Sequence, residues 1–159
     1  LKKLLLLAGA ILGLDQFTKW LIVRGMELHE EIPVIGNFFS ITSHRNRGAA
    51  FGILQDQRWF FVAITIVIVI AILYYMRRLV SEGKVWLPVA LSLVLGGALG
   101  NFMDRAFFGE VVDFLHFYFA FADYHFPNFN VADSAICVGV AMVLLDTLKE
   151  WRKPNEHTR

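Results

Sequence analysis

GGALGNFMDRAFFGEVVDFLHFYFAFADYHFPNFNVADS, running from Gly96 to Ser134, is the stretch on which the reading of this chain turns. A glycine-rich apolar segment leads into Asn101, Asp104 and Arg105. Val111-Val112-Asp113 and an aromatic-rich loop follow, and Asn130-Val131-Ala132-Asp133 heads another apolar segment. Asp113 and Asp133 lie twenty residues apart, each where a hydrophobic run begins or ends. An ionisable group at a membrane boundary is costly unless paired or solvated, which makes it a functional candidate. The expectation is that Asp113 and Asp133 face one another and share a proton, and that the rest of the chain carries them to the right depth in a bilayer.

Composition agrees with a membrane. The 159 residues are 57% hydrophobic and 18% charged, against about 45–50% and about 25% in soluble domains. A chain of this size is expected to form a single membrane-embedded domain over 1–159. A net charge of +1 gives no reason to invoke nucleic acid. Cys137 is the one cysteine, so an intrachain disulfide and a cysteine-rich zinc cluster are both excluded. Lys2-Lys3 followed by Leu4–Leu12 imitates a secretory signal. The apolar run continues past it through Phe17, Trp20 and Val23 to a spanning length, so a retained helix is expected. The sequence starts at Leu1 rather than Met, and a few residues are expected to precede it in the full protein.

Four segments can cross a hydrocarbon core of about 30 Å: 4–23, 59–76, 85–103 and 131–148. Pro88 sits in the first turn of the third, where a missing N–H costs little. Nine of the fifteen Lys and Arg residues fall at the N-terminus (Lys2, Lys3), in the 77–84 connection (Arg77, Arg78, Lys84) and at the C-terminus (Lys149, Arg152, Lys153, Arg159). Positive charge marks the cytoplasmic side, so both termini are expected there and the 24–58 and 104–130 loops face outward together. Within the first loop, Pro33–Ser43 is β-branched and aromatic with partial alternation, which predicts a small extracytoplasmic sheet or hairpin. The polar tail after Trp151 is expected to fray.

The polar residues admit more than one use. Asp15 and Lys19 are four apart on one helical face, as a structural ion pair or as groups that orient others, with Thr18 adding a hydrogen bond. Gly96 and Gly100 have the spacing of close helix packing, which would fix Asn101, Asp104 and Arg105 at a helix end. Arg105 can pair with another loop's carboxylate or carbonyls. Two close carboxylates cannot both ionise cheaply. One can then activate a water while the other, protonated, polarises a carbonyl. The alternative is that Asp133 merely caps its helix, with Asn130 beside it, and Asp113 is a solvated loop acid. Asp113 and His116 have helical i, i+3 spacing, but no ligand motif supports a metal. Cys137 is expected to be a buried small hydrophobe. The aromatics between Phe107 and Phe126 suit a bilayer interface or a lid over a site that receives a lipid-bearing substrate.

Five segments together resemble the bacterial lipoprotein signal peptidases (signal peptidase II), in order and over essentially the whole chain: Asp15–Lys19, Ile41–Gly52, Gly97–Arg105, Val111–Phe114 and Phe129–Asp133. The resemblance implies a cofactor-free, metal-free aspartyl endopeptidase of the bacterial inner membrane. Its fold would be four transmembrane helices, a small β-cradle in the 24–58 loop, and a short interfacial helix and loop over 114–128 that closes on substrate. It implies cleavage of prolipoproteins just before a cysteine carrying a diacylglyceryl group. Asp113 and Asp133 match the catalytic dyad. Asn46, Gly48, Asn101, Asp104, Arg105 and Asn130 match residues around the substrate site, and Asp15 and Lys19 match the polar pair of the first helix. Membrane lipids are further partners, a monomer is expected, and inhibition by globomycin and myxovirescin is implied. The rival from another class is a small transporter that moves protons on the same acids. Polar residues gathered at one side, with a nearly all-apolar second span, argue against a conduit.

Overall fold

A computed structural model of the protein describes residues 1–49 and 53–151. The motif residues Ala50, Phe51 and Gly52, the cations Arg152, Lys153 and Arg159, and the tail expected to fray lie outside the described residues. In chain order the elements are α1 (Lys2–Gly25), β1 (Glu31–Ile35), β2 (Phe39–Asn46), α2 (Arg58–Ser81), α3 (Trp86–Phe108), β3 (Val111–Phe119), β4 (Tyr124–His125) and α4 (Val131–Trp151). Among the described residues, four helices of 21 to 24 residues are long and apolar enough to cross a membrane. At a rise of about 1.5 Å per residue, each exceeds the hydrocarbon core.

Most helix ends lie two to five residues beyond the apolar runs, because the terminal turns carry polar residues and aromatics suited to the interface. Trp20 packs under Arg24, Trp59 under Arg58 and Trp86 under Lys149, with the cations 5.4, 4.9 and 5.5 Å from the ring centroids. Asp104 and Arg105, expected at the start of the second loop, belong to the last turns of α3. Gly109, at φ 81°, ends that helix. Its N–H reaches the carbonyls of Asp104 and Arg105, and the chain turns directly into β3.

Helix α3 packs against the other three, and its small residues allow it. A Cβ on Gly97 would strike the Ala132 carbonyl and approach Ile136 Cγ1 to 2.8 Å. One on Gly100 would strike the Asp15 carboxylate. Ser92 donates its hydroxyl to the Leu4 carbonyl, tying α3 to α1 at the opposite end. Gly97→Ala is therefore expected to push α4 away and lower Tm, by overpacking worth about 1–3 kcal/mol. Gly13→Ala, with no atom within 4 Å of its added carbon, is expected to leave Tm unchanged. Thermal unfolding of both variants in detergent checks this, and equal midpoints would refute the packing account.

The sheet has the order β1-β2-β3-β4, antiparallel throughout. The hairpin expected from Pro33–Ser43 is present as β1 and β2. The second loop supplies the other half through β3, whose partner in register is β2: Ser40 faces His116 and Asn46 faces Val111. Here the expected interfacial helix over 114–128 is corrected. Val111–Phe119 is a strand, and helical structure in that span is one 3₁₀ turn, Ala120–Ala122. The cause is the sequence Val-Val-Asp-Phe-Leu-His-Phe-Tyr-Phe, rich in β-branched and aromatic residues. Phe117 stacks between Phe39 and Phe129, at centroid distances of 4.8 and 5.9 Å.

Pairing of β2 with β3 places both loops at one end of the bundle. The core splits accordingly. Ala8, Ile72, Met76 and Leu95 form an apolar cluster in one half. Asp15, Lys19, Asn101, Asp104, Asp113 and Asn130 are buried at the sheet end.

Candidate active site

Asp113 sits on β3, five residues after α3 ends, and is 2% exposed. Asp133 lies in the first turn of α4. Asn130 immediately precedes that helix and makes reciprocal bonds with it. Its Oδ1 accepts from the Asp133 N–H at 2.9 Å, and its own N–H donates to Asp133 Oδ2 at 3.2 Å. This is a capping box with amide and carboxylate in place of hydroxyl and Glu. The cap and the acid are thus one device, and the two readings of Asp133 are not exclusive.

Two amides bridge the acids. Asn130 Nδ2 donates to Asp113 Oδ1 at 2.7 Å and reaches Asn101 Oδ1 at 3.2 Å. Asn101 Nδ2 donates to Asp133 Oδ1 at 2.7 Å. From β2, Asn46 Nδ2 donates to the other Asp113 oxygen at 3.0 Å, while its Oδ1 accepts the Gly48 N–H at 2.9 Å. Burial pushes the Asp113 carboxyl up to about 7, and the neighbouring Asp133 charge pushes the same way. The Asn46 bond, the Lys19 charge and the Asn130 bond oppose. Asp113 is therefore close to half protonated near neutrality, where an ordinary carboxylate is fully ionised.

Beneath the acids lies a buried charged cluster. Lys19 Nζ is 2.8 Å from Asp15 Oδ2, 2.8 Å from Asp104 Oδ2 and 2.9 Å from Asn101 Oδ1. Asp15 Oδ1 accepts the Ala132 N–H at 2.9 Å and so braces the start of α4. Adjacent in sequence, Asp104 and Arg105 part company. Arg105 donates to the Gly48 carbonyl at 2.9 Å and stacks over Phe61 at 4.6 Å. Gln16 was not among the expected site residues, yet its Nε2 reaches Asp15, the Gly100 carbonyl and Asp104 at 3.2, 3.2 and 2.9 Å. The available signal was an uncharged polar residue inside an apolar span, next to Asp15. Thr18 does not join the pair. Its hydroxyl bonds back to Leu14 and Asp15 carbonyls of its own helix.

Asp113 and Asp133 line one cavity of about 610 Å³, a usual size for a ligand site. Asn46, Asn101 and Arg105 complete its polar end, and Phe126, Phe129, Ile136 and Val138 belong to its apolar wall. Cys137, expected to be buried, is exposed on α4 one turn past Asp133 and lines that wall. It is exposed because that face of α4 opens onto the cavity. His116, three residues from Asp113 on a strand, takes the opposite face. It pairs with His125 at 3.0 Å instead of sharing a site with Asp113.

The family model described as Signal peptidase (SPase) II matches residues 7–149. A lipoprotein signal peptidase of Bacillus pumilus is 52% identical over 153 residues, covering 96% of this chain and 97% of that one. Two solved structures described as bacterial membrane enzymes superpose with TM-scores of 0.88 and 0.81, at 40% and 41% identity. The first covers 98% of this chain and 93% of its own, and the second 94% of each.

Proposed function

The chain belongs to the signal peptidase II family, and from that membership we propose that Asp113 and Asp133 are its catalytic dyad. A multi-pass membrane protease that processes lipoproteins is the established frame. The observation that carries the proposal is the pair of carboxylates on one cavity, bridged through Asn130 and Asn101, with Asp113 raised to about 7.

One proton shared by the dyad suits peptide hydrolysis. The ionised carboxylate takes a proton from water, and the resulting hydroxide attacks the carbonyl of the residue before the lipidated cysteine. The protonated carboxylate gives its proton to the carbonyl oxygen. Collapse of the tetrahedral species breaks the C–N bond, and the dyad returns a proton to the leaving amine. Water is the nucleophile, so no acyl-enzyme forms. Asn46, Asn101 and Asn130 hold the carboxylates in place. Gly48, held by Asn46 and Arg105, and Arg105 itself shape the rim. Asp15, Lys19 and Asp104 anchor the frame. The apolar wall along Phe126, Ile136 and Val138 receives the lipid-bearing part of the substrate, which fixes the scissile bond beside the dyad.

The cytoplasmic placement of Lys2, Lys3, Arg77, Arg78 and Lys84 puts both termini inside and the dyad near the outward face. The chain acts as one membrane-embedded unit and as a monomer, and globomycin and myxovirescin compete for the same cavity. The test is a gel-shift assay in detergent with diacylglyceryl-modified and unmodified prolipoprotein, with and without globomycin. Cleavage of the modified substrate alone, stopped by globomycin, is expected. Equal cleavage of both substrates would refute the assignment of the apolar wall.

A further inference from the structure

Lys19 stands at the centre of the charged cluster, and all three of its N–H groups are used. Two go to carboxylates on different helices, Asp15 and Asp104, and the third to Asn101 Oδ1. Lys19 is 3% exposed and Asp15 is 0% exposed, so water screens this charge little. The third bond matters most. An amide can present either its oxygen or its NH₂ in a given direction. Because Lys19 only donates, it fixes the Asn101 oxygen inward and leaves Asn101 Nδ2 for Asp133 Oδ1 at 2.7 Å. The Asn130 NH₂, also directed at Asn101 Oδ1, reinforces that orientation while it holds Asp113.

We propose that Lys19 is a positioning residue that sets the pH window of the dyad, through its charge and through the orientation it imposes on Asn101. The charged groups around it are Asp15 on its own helix, Asp104 and Arg105 on α3, Asp113 on β3 and Asp133 on α4. Apart from the dyad members, two acids, Asp15 and Asp104, stand against two cations, Lys19 and Arg105, and the surroundings of the dyad are near neutral. Removing Lys19's charge leaves two buried carboxylates uncompensated and disfavours ionisation of the dyad. Removing Asp104's charge does the reverse. The opposed attraction of Lys19 is already felt at Asp113.

This inference rests on the dyad reading, and one experiment separates the two. The pH dependence of kcat/KM is measured from pH 5 to 9 on lipidated prolipoprotein, using the full chain in detergent. The proteins are wild type, Lys19→Met, Lys19→Arg and Asp104→Asn. A bell is expected for wild type, reporting loss and gain of the shared proton. Lys19→Met is expected to move both limbs up by about one pH unit, and Asp104→Asn to move both down by about as much. Lys19→Arg keeps the charge and restores the wild-type limbs. A structural role alone would lower the rate at every pH and leave the limbs where they are. Unmoved limbs, or shifts in the same direction, overturn the proposal while leaving the dyad intact. A flat wild-type profile overturns the dyad reading itself. Should Lys19→Met fail to fold, the direction of the Asp104→Asn shift decides.

Discussion

Asp113→Asn and Asp133→Asn are each expected to lower the cleavage rate by about 10³-fold or more, because in the proposed dyad the two carboxylates work as one unit and neither half suffices. An asparagine is nearly the same size and its one amide oxygen keeps one of the two hydrogen bonds that each carboxylate accepts, so the fold should survive. At Asp113 the expectation goes further. Its folded pKa of about 7 lies above the 3.8 of an ordinary aspartate, so between those values the native state binds more protons than the unfolded one. Stability contributed by the protonated form is complete below about pH 4 and is lost as pH rises through about 7. Asp113→Asn removes that loss. The variant should therefore have a higher Tm than wild type at pH 8 and a similar Tm at pH 4. Gel-shift cleavage and thermal unfolding on the same samples check both statements. A variant that cleaves at the wild-type rate would remove that aspartate from the dyad.

Asn130→Ala is expected to carry the second largest effect, about 10²-fold in rate together with a lower Tm. Asn130 is fully buried and serves both acids at once. Without it Asp113 Oδ1 loses its shortest amide donor and the Asp133 N–H loses its cap. Loss of an N-cap costs about 1 kcal/mol, and the missing Asn130 bond lets the Asp113 carboxyl rise further. Asn130→Ser separates the two contributions. Serine caps a helix as well as asparagine but has no NH₂ to span from Asn101 to Asp113. The serine variant should recover most of the Tm and little of the rate. Parallel recovery of both would mean that Asn130 acts on the helix alone.

Much of the architecture was legible in the residues because its causes are local. Apolar runs of spanning length mark helices wherever they occur, and Pro88 and Asn130 punctuate them by backbone chemistry. Close packing at Gly97 and Gly100 follows from small residues at a helix interface. The two aspartates stood out because ionisable groups beside apolar runs are expensive, and the order of five motifs carried the family. The 111–119 segment was harder. Its β-branched and aromatic residues suit a strand, but a strand needs a partner, and that partner is β2, some seventy residues earlier in the chain.

The residues alone mark a helical membrane protein of the signal peptidase II type, with Asp113 and Asp133 as the acids to watch. What surrounds those acids is visible only in the packed fold. Gln16 reaches Asp104, Lys19 reaches Asn101, Asp15 braces Ala132, and Cys137 faces a cavity instead of a core. Each of these is a contact between residues distant in sequence or a matter of which helix face is left uncovered. Spacing within one helix shows which side chains share a face, but not which neighbour that face meets. The direction of an amide is set by the groups packed around it, and those come together only when α1, α3, β3 and α4 do.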